Sequence, residues 1–241
     1  MGNQGLTDQG TKSEQEGVIK YHLSFMQQPI SSHIPITPLD KWRHVLFNLA
    51  QIGQDSNRYG GLGFGNISNR IPQSTIRSVT ETTNLPPKKH SENSFLISGS
   101  QTGHLPYLKR EHYSVVTHCD PELNKLSAYG NTKPSSESMT HGVLYHQHPS
   151  IGAVVHVHSP IIWNLADQLT LPATESDVRY GTPDMAKAVE GIANDITANS
   201  IEPVFVMKGH VDGVISFGPD LLTAVSSLLG VYHRAVMKTV R

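Results

Sequence analysis

The stretch Ile151-Gly152-Ala153-Val154-Val155-His156-Val157-His158-Ser159-Pro160 decides how this chain folds. Its small and β-branched residues over 151–157 predict a strand that enters from the core. Residues i and i+2 of a strand project from the same face, so His156 and His158 stand side by side at its end. Two such imidazoles can close on one metal ion, and a catalytic zinc site needs three protein ligands and one open position. The alternative is a pair of surface histidines on an edge strand. The apolar run ahead of them argues against it.

Most of the fourteen histidines must be ordinary. His146-Gln147-His148 falls where a helix ends, just before Pro149. On a helix, i and i+2 point about 200° apart, so this pair cannot chelate together. It reads as two groups near a helix C-terminus. Further ligands must come from elsewhere. Glu137 is placed in the first turn of a helix beginning at Pro134-Ser135-Ser136, one turn ahead of His141. On its own it reads as an acid favoured by the positive helix end. His210, in Lys208-Gly209-His210-Val211-Asp212-Gly213, follows a buried strand and on its own reads as a turn histidine.

Working outward, Thr37-Pro38-Leu39-Asp40 predicts a helix start with Thr37 as N-cap. Trp42, Val45, Leu46 and Leu49 then form its buried face. Gly60-Gly61-Leu62-Gly63-Phe64-Gly65-Asn66 is a glycine-rich loop. It follows a helix and not a strand, so it is no dinucleotide fingerprint. Strands are expected at 95–98 and 112–118, and helices at 134–146, 183–198 and 219–237. Residues 203–207 and 213–217 form a hairpin. The mixture argues α/β or α+β, with one domain over 37–241. Residues 1–36 are polar and read as a tail, either a disordered leader or carrying one strand within 18–25.

Composition narrows the function. Nineteen basic against twenty acidic residues, with no Lys/Arg run, exclude a nucleic-acid partner. No apolar run is long enough to span a bilayer, so no membrane partner is expected. One cysteine, Cys119, excludes an internal disulfide framework and a cysteine-rich zinc module. The N-terminus has no apolar core of a secretion signal, and a cytoplasmic location is expected.

Several segments together resemble the class II aldolase/adducin family. These are Pro134-Ser135-Ser136-Glu137, the run into His156-Val157-His158-Ser159-Pro160, the late His210, Gly65-Asn66-Ile67-Ser68, Leu96-Ile97-Ser98-Gly99 with Thr102-Gly103, and Tyr180-Gly181-Thr182. The resemblance covers about residues 37–238. It implies an α/β three-layer sandwich with a central mixed, largely antiparallel sheet flanked by helices. It also implies Zn2+, or another divalent metal, on His156, His158 and His210, with Glu137 as acid/base. Gly65, Asn66, Thr102, Gly103, Ser135 and Ser136 would hold a phosphate or carboxylate through N–H and hydroxyl donors. A homo-oligomer is implied, a homotetramer favoured.

The chain departs from the family twice. Val211-Asp212 stand between His210 and the next glycine, and no tyrosine lies in 171–176, where the sugar-phosphate aldolases place a proton donor. The leading expectation is an aldolase-type lyase acting on a small hydroxy-carbonyl compound through a metal-stabilised enediolate. A dehydratase, epimerase or decarboxylase on the same site is the second expectation, and an adducin-like structural domain the third.

Overall fold

The computed structural model describes residues 17–83 and 92–240. Its spine is an eight-stranded sheet in the order β1-β7-β6-β5-β4-β8-β10-β9. The strands are β1 (His22–Gln27), β4 (Asn66–Arg70), β5 (Phe95–Ser98), β6 (Tyr113–Asp120), β7 (Lys125–Gly130), β8 (Ala153–His158), β9 (Val204–Val206) and β10 (Gly213–Gly218). Only the β1–β7 pair is parallel; the other six are antiparallel. A separate two-stranded ribbon joins β2 (Gly53–Gln54) to β3 (Gly63–Phe64).

Alternation along β8 divides the molecule. Ala153, Val155 and Val157 pack into a core shared with helices α1 (Thr37–Asn48), α2 (Gln73–Thr83), α4 (Pro160–Asn164) and α6 (Leu221–Thr239). Val154 faces the opposite core, built on helices α3 (Ser138–Gln147) and α5 (Pro183–Asn199). Helices therefore cover both faces, giving the expected three layers. A strand buried on both faces needs a continuous apolar run, and 153–155 supplies it. By the same parity, His156 and His158 share the face of Val154, toward α3 and α5.

Local signals account for most helix ends. The Asp220 side chain accepts from the Thr223 N–H at the start of α6, and Thr182 does the same for Met185 at α5. The expected cap at Thr37 is wrong: the N-cap of α1 is Ile36, with no side-chain cap bond. The expected buried stripe is also displaced. Leu39, Arg43 and Leu46 face inward, while Val45 and Leu49 are exposed. Arg43 is buried because its guanidinium donates to the carbonyls of Thr102, Leu105 and Pro106, tying α1 to the 102–106 loop. The strand sought within 18–25 is β1, which forms one edge of the sheet. No helix among the described residues is long and apolar enough to cross a membrane.

A buried polar chain joins α3 to β4. His141 Nδ1 lies 2.7 Å from Ser68 Oγ, which lies 2.8 Å from the Tyr145 hydroxyl. Burial pushes the His141 imidazole from 6.5 down to about 3. Its folded value is below its unfolded value, so the unfolded chain takes up the proton first. Stability is then fully present above pH 6.5 and falls as the pH drops from there toward 3. His156 and His158 act in the same direction. The free energy of unfolding should decline from pH 7.5 to 5, at up to about 1.4 kcal/mol per pH unit for each such group, read as a falling thermal midpoint by circular dichroism. His141→Gln, neutral throughout, should show a shallower decline than the wild type.

Candidate metal centre and anion pocket

β8 delivers His156 and His158, and the turn after β9 delivers His210. The register aligns His156 with Asn66 on one side and Ile215 on the other, fixing which way both imidazoles point. One ligating nitrogen from each of His156, His158 and His210 lies within 4.8 Å of the others. It is the one such group of three or more His, Cys, Asp or Glu among the described residues. All three side chains are buried.

His210 sits in a hydrogen-bonded turn that closes with Val211 and Asp212 between it and Gly213. Gly213 N–H donates to the His210 carbonyl at 2.9 Å, and His210 N–H to the Met207 carbonyl at 3.0 Å. Asp212 takes the left-handed conformation, φ +61°, that a glycine would otherwise supply.

The imidazoles suit a divalent cation. His156 Nδ1 lies 3.3 Å from the Val214 carbonyl, which can only accept, so Nδ1 carries the proton. Nε2 then presents its lone pair and has no hydrogen-bond partner among the described residues. Burial, and then the neighbouring His210, hold His156 and His158 well below the usual histidine range. Neutral imidazole is the form that ligates.

Glu137 meets this cluster from across the cleft: its Oε1 lies 3.9 Å from His210 Nδ1. It is the N-cap residue just ahead of α3, not a member of the first turn, and its carboxylate caps no backbone N–H. Instead Oε2 accepts from the Thr140 hydroxyl at 3.1 Å. Ser135 Oγ accepts from the Glu137 N–H at 3.3 Å. His146 and His148, at the end of α3, stand outside the cluster, as the helical spacing required.

Beside the histidine cluster is a small polar pocket. Gly65, Asn66, Thr102, Gly103, Ser135 and Ser136 all line it, and none of its lining residues is Lys or Arg. The glycines allow three loops to meet. Gly65 has φ +72°, and a Cβ there would lie 2.8 Å from Ile52 Cγ1 and 3.1 Å from the His156 carbonyl. A Cβ on Gly103 would lie 2.1 Å from the Gly53 carbonyl oxygen. The Thr102 hydroxyl donates to the Gly99 carbonyl, so its hydrogen is already engaged within the loop.

A family model described as the Class II Aldolase and Adducin N-terminal domain matches residues 49–237. The chain belongs to this family. Solved structures with the same fold include a sugar-phosphate aldolase from Thermotoga maritima, 15% identical over 84% of this chain and 92% of that one, TM-score 0.59. An L-fuculose 1-phosphate aldolase is 18% identical over 86% and 87%, TM-score 0.58. YgbL from Klebsiella pneumoniae, a candidate aldolase/epimerase/decarboxylase, is 18% identical over 83% and 86%, TM-score 0.56.

Around the three histidines lies a clamp that sequence reasoning missed. The loop between β2 and β3 carries Arg58 and Tyr59. The Tyr59 ring meets His158 edge-on, centroids 4.6 Å apart. Its hydroxyl donates to Asp212 Oδ2 at 2.6 Å and accepts from Arg58 Nη2 at 2.6 Å. Arg58 also donates to the His158 carbonyl at 3.3 Å and stacks on Phe64. The one signal in the sequence was Asp212, an acid two residues from a candidate ligand. Burial first, then the Asp212 bond, push the Tyr59 phenol up, so it remains a donor. Tyr59→Phe keeps the ring against His158 and removes this bond. It should cost about 1 kcal/mol, read as a lowered thermal midpoint, and Asp212→Asn should cost a similar amount.

Proposed function

We propose that this protein is a metal-dependent, aldolase-type lyase for a small hydroxy-carbonyl substrate bearing an anionic group. The observation that carries this reading is the approach of the Glu137 carboxylate to within 3.9 Å of a buried triad of imidazoles. His156, His158 and His210 would hold the cation, and zinc suits three imidazoles with an open position. The cation, when bound, supplies Lewis acidity that stabilises negative charge developing on substrate oxygens.

The chain's own groups do the rest. The pocket of Gly65, Asn66, Thr102, Gly103, Ser135 and Ser136 seats a phosphate or carboxylate through neutral donors. That anchorage orients the carbonyl end toward the imidazoles. Glu137 accepts the proton released as the carbon–carbon bond breaks and returns it to the product. Burial of the carboxylate keeps bulk water from competing for that proton.

A second reading keeps the same residues and ends in epimerisation, dehydration or decarboxylation. It is favoured by the stretch Leu171–Ser176, which holds no tyrosine to protonate a leaving group. NMR analysis of products separates the two readings. A structural, adducin-like role would leave the triad without a use, and purified protein would then carry no stoichiometric metal. The homo-oligomeric state and the cytoplasmic location belong to this proposal as well.

His156→Ala should lose bound metal and activity together, measured by elemental analysis and turnover of sugar-phosphate aldols. Glu137→Gln should keep the metal and lose about 10²–10⁴-fold in kcat. Full activity in both variants would show that the site is misassigned.

A further inference from the structure

Residues 17–21 lie ahead of β1 and outside the family match, which begins at residue 49. They nevertheless reach the site at three points. Gly17 lines the polar pocket together with Ser135 and Ser136. It has φ +71°, and a Cβ there would lie 2.2 Å from Gln101 Nε2. Its lack of a side chain keeps that rim thin.

Tyr21 is buried, and its hydroxyl donates to the Ser135 carbonyl at 2.8 Å. The same carbonyl accepts the Ser138 N–H at 3.1 Å and the Ser138 hydroxyl at 2.7 Å. Three donors on one oxygen immobilise the peptide from which Ser136 and Glu137 project. Burial, with the Glu137 carboxylate nearby, raises the Tyr21 phenol, so it keeps its proton as a donor.

Lys20 backs the metal cluster. Its ammonium sits 3.5 Å from the centroid of the Tyr180 ring and donates to the Tyr180 carbonyl at 3.1 Å. The same ring stacks on His210, centroids 4.4 Å apart at 19°. Ammonium, phenol and imidazole thus form one column ending on a candidate ligand. A cation over an aromatic face is held by the ring quadrupole, more strongly as it loses water, and this contact is part-buried.

We propose that residues 17–21 are a wall of the active site, with Tyr21 positioning the Ser135–Glu137 turn and Lys20, through Tyr180, positioning His210. The inference rests on the reading of the site as a divalent-metal and anion centre.

The test uses the full chain, with inorganic phosphate and Co2+ as probes. Affinities come from calorimetry, and Co2+ geometry from its visible absorption. Tyr21→Phe should weaken phosphate about three- to tenfold, the loss of one buried hydrogen bond, while Co2+ affinity stays within about twofold. Lys20→Met should change the Co2+ spectrum and weaken Co2+ about tenfold, as loss of an outer support for a ligand does, and Lys20→Arg should restore both. The variants act through separate contacts, so either carries the test if the other fails to fold. Wild-type binding of both probes with unchanged values in the variants overturns the wall alone. Wild-type failure to bind either probe overturns the metal-and-anion reading and the wall with it.

Discussion

Two imidazoles carried on a strand that is buried on both faces are the constraint around which this site is built. A polar ring taken from water into a core is costly unless its nitrogens are satisfied. Parity decides where these rings go. Every second residue of β8 enters the α3/α5 side, and a slip of one residue would drive both histidines into the layer of α1 and α6. Antiparallel pairing with β4 and β10 on either side prevents the slip. β10 serves twice, because its Val214 carbonyl also takes the Nδ1 proton of His156.

Apolar pattern made the central strand and the terminal helices legible. Phe95–Ser98 and Pro183–Asn199 could be read almost residue for residue, because their runs are long or cleanly bounded. β4 escaped notice because Asn66-Ile67-Ser68-Asn69-Arg70 is mostly polar, although it sits in mid-sheet. Its polar groups are used: Ser68 belongs to the His141–Tyr145 chain, and Asn66 lines the pocket. The stripe on α1 was misread because an arginine inside a core violates the pattern. Only the carbonyls of a loop some sixty residues away, at 102–106, explain Arg43. The candidate site was legible where spacing is short, as in His156-Val157-His158. The approach of Glu137 and His210 came from resemblance, since no local rule brings residues so far apart in the chain together.

The segment after His210 adds to the support of the candidate site. Val211 and Asp212 stand between His210 and Gly213. Asp212 adopts the left-handed backbone that glycine would have supplied, at a cost that a short acid bears better than most residues. Its carboxylate then anchors Tyr59, whose ring meets His158 edge-on. This turn therefore extends the support of the imidazoles. Tyr180 does for His210 what Tyr59 does for His158, so each of these two rings has an aromatic neighbour.

This support is expensive for a protein that only needed a scaffold. Replacing buried ionisable side chains by apolar ones of similar volume is often neutral or stabilising. A chain using the fold for assembly alone would lose nothing by exchanging His156, His158 and Glu137 for leucine-like residues. Retaining three buried imidazoles, a buried carboxylate 3.9 Å from one of them, and a neighbouring pocket of glycine, serine and threonine makes physical sense when the groups meet a ligand. The pocket points the same way. None of its lining residues is Lys or Arg, so no fixed positive charge holds whatever enters it.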